Sequence, residues 1–413
     1  MREWITKYGI DVFHEEAQAR CEIPAAFTLE AAKEAQSFHA QIPGYCPTPL
    51  LRMESLERAF GVKAVLVKDE SKRFSLNAFK GLGGSYAMFR ILCDELKLDP
   101  KTTTLARLRS PEYAERIRKF VFVTATDGNH GRGVSWAGGI FGCGVHVYMP
   151  VGSAEVRAQA IRDAGPAEVE ITDMSYDDTV RFAERQSREN GWFLIQDTAW
   201  EGYEKIPAWI IQGYLTMAAE ALTQSFEKGL RPTHLFLQAG VGAMAGGVLG
   251  FFSSCLGENG LIAAVVEPKT VDCIFRSAAA GDGSIHSIGG SPETIMSGLN
   301  CGTPCKITWP VLRDYAQFYF ACPDCVAAHG MRVYARQPEK VVSGESGAVT
   351  MGVLDLLMRE PELREVRTAM GLNRDSVILL LNTEGNTDPE SYARIVVGDA
   401  YRLTEIETGE RRA

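Results

Sequence analysis

From residue 63 onward, short runs rich in β-branched and other apolar residues alternate with longer segments of helical period. Residues 63–69 (KAVLVKD), 119–125 (KFVFVTA), 144–150 (GVHVYMP), 167–172 (AEVEIT), 192–197 (WFLIQD), 233–239 (THLFLQA), 261–267 (LIAAVVE) and 376–382 (SVILLLN) predict strands. Between them, 153–164, 176–190 and 207–228 predict helices, and 94–118 reads as a polar helical insertion at the surface. Strands alternating with helices imply an α/β fold with mostly parallel, twisted sheets. On such sheets ligands sit beyond the carboxyl ends of the strands, so strand ends are where chemistry is sought.

Composition narrows the picture. A chain of 413 residues, 46% hydrophobic with 19 Phe and 6 Trp, can bury a large core and is expected to form two lobes. No run approaches the roughly 18 uncharged apolar residues that a membrane span needs. The start, MREWITKYGIDVFHEE, lacks the layout of a signal peptide. A cytoplasmic protein with no membrane partner is the expectation. A net charge of −9 gives no basic face for nucleic acid, which leaves small-molecule chemistry. Ten cysteines in a chain of this length do not make a disulfide scaffold. Cys301, Cys305, Cys322 and Cys325, with His329 nearby, have a loosely zinc-like spacing, but the first pair lies in a Gly/Pro-containing loop. They are read as thiols, with no metal.

Four constellations carry chemistry. In SLNAFKGLGGSYA (75–87), Lys80 is flanked by apolar residues and glycines, a setting that lowers an amine's pKa and suits it to condense with an aldehyde. Taken alone it reads equally as a helix-start lysine whose stem packs while the ammonium reaches water. In TATDGNHGRGVSWAG (124–138) a strand passes through a glycine turn into a helix, whose first N–H groups can bind an anion such as a substrate carboxylate. That turn holds Asp127, Gly128, Asn129 and His130. QAGVGAMAGGVLG (238–250) repeats the strand, turn and helix order without the Lys-Ser/Thr of a nucleotide loop. Gly240, Val241, Gly242, Ala243, Met244 and Ala245 there suit a single phosphate. Its glycines do not form the GxGxxG of dinucleotide folds. In NTEGNT (382–387), Thr383 ends an apolar strand with a hydroxyl.

A phosphate cradle, a desolvated lysine, an anion-binding turn and a strand-end hydroxyl meet the requirements of pyridoxal phosphate. Their order resembles the fold-type II pyridoxal-phosphate enzymes, the family of serine and threonine dehydratases and tryptophan synthase β chains. Within it the sequence most resembles the diaminopropionate ammonia-lyases, from about residue 40 to 395, through NAFKGLGGSYA, ATDGNHGRGV, QDTAWEGYEKIP, GVGAMAGG, EPKTVDC, VVSGESGAV and NTEGNTD. The resemblance implies that Lys80 carries the cofactor as a Schiff base. It implies too that Asn129 bonds the cofactor's 3-hydroxyl, that 240–245 holds its phosphate and that Thr383 faces its ring nitrogen. It further implies a homodimer and a division into a large domain (1–84 and 201–413) and a small one (85–200).

Two aspartates point to the substrate. Where the related dehydratases usually carry a serine, this chain has Asp127, in the turn expected to receive the substrate carboxylate. Two unit charges about 4 Å apart interact by about 4 kcal/mol at an effective dielectric of about 20, so the arrangement calls for a cation. A second amine on the substrate supplies one, and Asp197 adds a carboxylate from another strand end. Ammonia leaves Cβ only when protonated, so carboxylates that keep it an ammonium favour α,β-elimination from 2,3-diaminopropionate to pyruvate and two ammonia. The family implies Lys80 as base for the L isomer and Asp127 for the D isomer. Competing readings are Asp127 as a helix cap, Asp197 as a loop tether, a serine/threonine dehydratase, a β-replacement synthase, and a binding protein that keeps the fold. Cys273 and Cys301 are expected to meet near the active-site entrance, as a disulfide or, in a reducing compartment, as thiols.

Overall fold

The computed structural model describes residues 2–15, 20–257, 260–290 and 293–404. The chain forms two compact units, one of Met1–Pro24, Thr48–Lys72 and Met217–Ala413, the other of Ala25–Pro47 and Arg73–Thr216.

The larger unit is built on one sheet, with strands in the spatial order Arg2–Ile5, Asp11–His14, Phe318–Cys322, Ile262–Pro268, His234–Gln238, Val377–Asn382, Ala64–Asp69 and Leu50–Arg52. The five inner strands run parallel, with Ala264 opposite Phe318, Ile262 opposite His234, His234 opposite Ile378 and Val377 opposite Ala64. Both faces of these strands are covered: every residue of His234–Gln238, Val377–Asn382 and Ala64–Asp69 is buried. This is why they read as continuous apolar runs instead of alternating ones. The outer strands pair antiparallel. The core gathers Phe236, Val266, Phe320, Ile378 and Leu380 with Met331, Val349 and Val353 from helices Asp324–Arg336 and Glu345–Arg359.

The smaller unit holds a parallel sheet in the order Ala167–Ile171, Gly144–Met149, Val121–Ala125 and Phe193–Leu194. Its edge strand Ala167–Ile171 alternates in exposure, as a strand with one wetter face should. Val123, Ala125, Tyr148, Ala183 and Leu194 form part of its core.

The structure departs from the sequence expectations in four places. The units do not divide at 84 and 201: residues 25–47, Lys80 with its helix, and 201–216 all belong to the smaller one. Close packing explains this. Helix Lys80–Leu96 lies against helix Asn129–Phe141 so tightly that a Cβ on Gly133 would stand 2.8 Å from the Gly81 nitrogen. His39 joins its ring to the Thr216 hydroxyl and the Leu82 carbonyl, 2.7 and 3.0 Å away. The strand expected at 192–197 shrinks to Phe193–Leu194, because side chains replace the ladder: Gln196 Oε1 accepts from the Ala125 N–H at 3.1 Å, and the Tyr203 hydroxyl takes the Gln196 N–H at 2.8 Å. Phe318–Cys322, not expected, is a fully buried strand. Residues 94–118 are only partly a solvated face, since Leu105, Leu108, Tyr113 and Ile117 are buried. Among the described residues no helix is long and apolar enough to cross a membrane.

Candidate active site

In the smaller unit the chain reaches Lys80 through non-glycine residues in the left-handed region, Phe74 (φ 50°), Ser75 (60°) and Asn77 (58°). Such conformations cost about 1–3 kcal/mol each and persist only where their surroundings impose them. Helix Asn129–Phe141 does so: Arg132 Nη1 donates to the Leu76 carbonyl at 2.9 Å, and the Trp136 ring lies on Phe74 with centroids 4.4 Å apart. Lys80 then opens its helix, and its ammonium donates to Asp197 Oδ2 at 2.5 Å. The pair is mostly shielded from water, the two side chains being 20% and 15% exposed. The Phe79 and Tyr214 rings lie 5.4 and 5.8 Å from Nζ. Burial opposes the charge on Asp197, but the Lys80 ammonium beside it, with its hydrogen bond, more than offsets that and holds the carboxyl well below the usual range.

The turn after Val121–Ala125 is tied by Thr126, whose Oγ1 accepts from the N–H groups of Gly128 (3.0 Å) and Gly131 (3.2 Å). Gly128, at φ 154°, caps helix Asn129–Phe141 without a side-chain bond. Asp127 is therefore not spent as a helix cap. Its carboxyl is pushed up to about 6, first by burial and further by the Asp197 charge, with Arg157 and Lys80 pulling the other way. The Arg157 stem covers the turn: a Cβ on Gly128 would meet its Cδ at 3.6 Å. His130 Nε2 lies 2.8 Å from the Ile195 carbonyl and Nδ1 3.8 Å from Asp197 Oδ2. Burial lowers the pKa of its ring despite Asp197, so the imidazole is neutral.

The larger unit holds the other expected residues. His234–Gln238 ends in the turn Gly240–Val241–Gly242, and helix Ala243–Leu256 follows. Gly242 sits at φ 81°, and a Cβ there would stand 2.6 Å from Leu312 Cδ1 and 2.8 Å from Ile274 Cδ1. The Val241 carbonyl accepts from the Cys305 N–H at 2.6 Å. The turn is thus clamped from outside with its backbone held in place, and Ala243, Met244 and Ala245 are buried at the helix start. Gln238 Nε2 donates to Thr383 Oγ1 at 2.9 Å and to the Leu381 carbonyl at 2.9 Å. With an acceptor site of Thr383 occupied, its own hydrogen is left to give to another acceptor, such as an aromatic nitrogen.

The sequence profile described as "Pyridoxal-phosphate dependent enzyme" matches residues 42–372. The chain belongs to the pyridoxal-phosphate-dependent enzymes. It is 48% identical over 374 residues to the diaminopropionate ammonia-lyase of Escherichia coli K12, spanning 90% of this chain and 92% of that one. The crystal structure of selenomethionine holo diaminopropionate ammonia lyase from Escherichia coli is similar at a TM-score of 0.90 and 44% identity, covering 97% of this chain and 100% of that one. The Escherichia coli enzyme in complex with an aminoacrylate-PLP azomethine intermediate matches at a TM-score of 0.88 and 45% identity, covering 96% and 98%.

For a pyridoxal-phosphate enzyme, what each unit supplies is chemically apt: an amine held against a carboxylate in one, a glycine turn at a helix start and an oriented hydroxyl in the other. Two residues that bear on the site escaped the sequence reading. Arg157 has a faint signal, a cation in the first turn of a helix after a strand end. Tyr214, within the long helix Lys205–Glu227, has none. Cys273 and Cys301 do meet, the Cys273 Sγ lying 3.5 Å from the Cys301 carbonyl oxygen, and both are thiols. Burial, reinforced by Glu267, pushes the Cys273 thiol far up.

Proposed function

We propose that this chain cleaves 2,3-diaminopropionate by α,β-elimination, giving pyruvate and two molecules of ammonia, with pyridoxal phosphate as cofactor. The observation that carries the reading is the pair of unlike carboxylates beside Lys80: Asp197 stays ionised, whereas Asp127 titrates at about 6. One can hold an ammonium, and the other can accept a proton near neutral pH. The likeness to the Escherichia coli ammonia-lyase supports the same assignment.

Bound pyridoxal phosphate supplies the electron sink that acidifies the α-proton. In this reading Lys80 holds the cofactor and takes the α-proton of the L isomer, and Asp127 takes that of the D isomer. Asn129 would meet the cofactor's 3-hydroxyl, residues 240–245 would hold its phosphate and Thr383 would face its ring nitrogen. Gly128, Asn129 and His130, with Asp127, line the substrate turn. Asp197 keeps the β-amine protonated until it leaves. The enzyme is taken as a cytoplasmic homodimer, and a solution mass near the 45.3 kDa of one chain would remove the dimer.

The test is pyruvate release from L- and D-2,3-diaminopropionate, with L- and D-serine as controls, by the purified enzyme and its Lys80→Ala variant. Turnover of the diamino acid that the variant lacks supports both the lysine and the substrate class. Turnover of serine alone overturns the substrate.

A further inference from the structure

His130 carries a buried nitrogen that the roles above leave unused. The residue is 4% exposed. Its Nε2 lies 2.8 Å from the Ile195 carbonyl oxygen, which can only accept, so Nε2 bears the ring hydrogen and Nδ1 is left as a bare lone pair. Nδ1 has no hydrogen-bond partner, and it faces Asp197 Oδ2 at 3.8 Å. Two acceptors this close, one of them ionised, repel each other unless a donor serves both. A buried acceptor left unsatisfied costs about 1–3 kcal/mol. The carboxylate's preference is already visible, since the alkylammonium of Lys80 sits 2.5 Å from the same Oδ2. Once that nitrogen is committed to the cofactor, Asp197 and His130 present two acceptors to whatever enters.

We propose that His130 Nδ1 and Asp197 Oδ2 jointly receive the β-ammonium of a diamino acid, making His130 a specificity-determining residue for the second amine. The inference rests on the substrate class proposed above and adds the atom that reads it. A nitrogen about 2.8 Å from both acceptors would see them about 85° apart, against about 109° between ammonium N–H bonds, so each hydrogen bond bends by only about 12°. An ammonium therefore satisfies both at once. The hydroxyl of serine has a single hydrogen, serves one acceptor and leaves the other bare, which is how a buried polar pair rejects an analogue.

The test uses holoenzyme and two variants. His130→Gln keeps an N–H for the Ile195 carbonyl but removes the acceptor at Nδ1, and His130→Asn restores an acceptor there. Binding of L-alanine, which has no second amine, is read from the cofactor absorbance, and KM is measured for L-2,3-diaminopropionate. His130→Gln is expected to raise that KM about 10- to 100-fold, the worth of one hydrogen bond to a charged group, and to weaken alanine binding far less. His130→Asn is expected to recover most of the loss. Equal weakening of both ligands, which a purely structural role would produce, overturns the proposal, and so does an unchanged KM. A second readout needs no variant: in histidine-15N-labelled holoenzyme the His130 Nδ1 signal is expected in the unprotonated range, and a proton on Nδ1 overturns the proposal. If unmutated enzyme releases no pyruvate from diaminopropionate, the functional reading itself fails. Normal turnover with an indifferent His130→Gln removes only the role of His130.

Discussion

Adding one methyl group at Gly133 should move Lys80, the proposed cofactor lysine, without touching its side chain. The new Cβ would stand 2.8 Å from the Gly81 nitrogen and 3.0 Å from both Gly81 Cα and the Lys80 carbonyl carbon. Ordinary contact begins at 3.4 Å, so the backbone at Lys80–Gly81 must retreat by about 0.6 Å. Backbone cannot rotate aside as a side chain can, and the loop before it is already held in strained conformations by the same helix through Arg132 and Trp136. Overpacking of this kind costs about 1–3 kcal/mol. A misplacement of about 1 Å costs roughly 100-fold in rate, so kcat/KM should fall by roughly 10- to 20-fold. The control lies on the same helix: a Cβ on Gly139 meets nothing closer than 3.7 Å, and Gly139→Ala should stabilise by about 1 kcal/mol with activity intact. Pyruvate release and the urea midpoint of both variants decide the matter. A Gly133→Ala enzyme with unmutated kcat/KM and midpoint, or equal damage from Gly139→Ala, would refute the reasoning.

Three further outcomes are expected. Because the Asp127 carboxyl is raised to about 6, its base form prevails above that pH, so kcat/KM for the D isomer should fall as pH drops through about 6. Asp127→Asn should abolish D turnover while sparing the L isomer, and an identical loss for both isomers would contradict the assignment. Lys68, fully buried, donates to Glu220 at 2.6 Å, the Thr48 carbonyl at 2.7 Å and Gln224 at 2.9 Å. Glu220→Ala strands that ammonium and should cost about 3–5 kcal/mol by urea unfolding, and a loss below about 1 kcal/mol would show that the pair is readily replaced. Cys273 and Cys301 should both alkylate in unfolded, unreduced enzyme, and a missing pair of labels would show a disulfide instead.

The parallel architecture was readable along the chain because strands buried on both faces leave continuous apolar runs, as in VILLLN and HLFLQ. The glycine turns were readable for a related reason: each follows such a run directly, and that order places Asp127, Gly240 and Thr383 at strand ends before any contact is known. The antiparallel edge strands were not, since runs of three or four residues carry too few positions to show a period. The unit division was misplaced because it depends on which helix Lys80–Leu96 lies against, a matter of Gly133 allowing close approach and not of composition.

By itself, then, the amino-acid sequence determined the sheet class and the motifs at its strand ends, Lys80 among them, since all of these are local in periodicity or spacing. Only the tertiary structure decided that Asp197 meets Lys80 across 117 positions, that Arg157 lies over the Asp127 turn, and that the bare nitrogen of His130 faces a carboxylate. Those features arise from burial and from side chains brought together from distant segments, which no local pattern records.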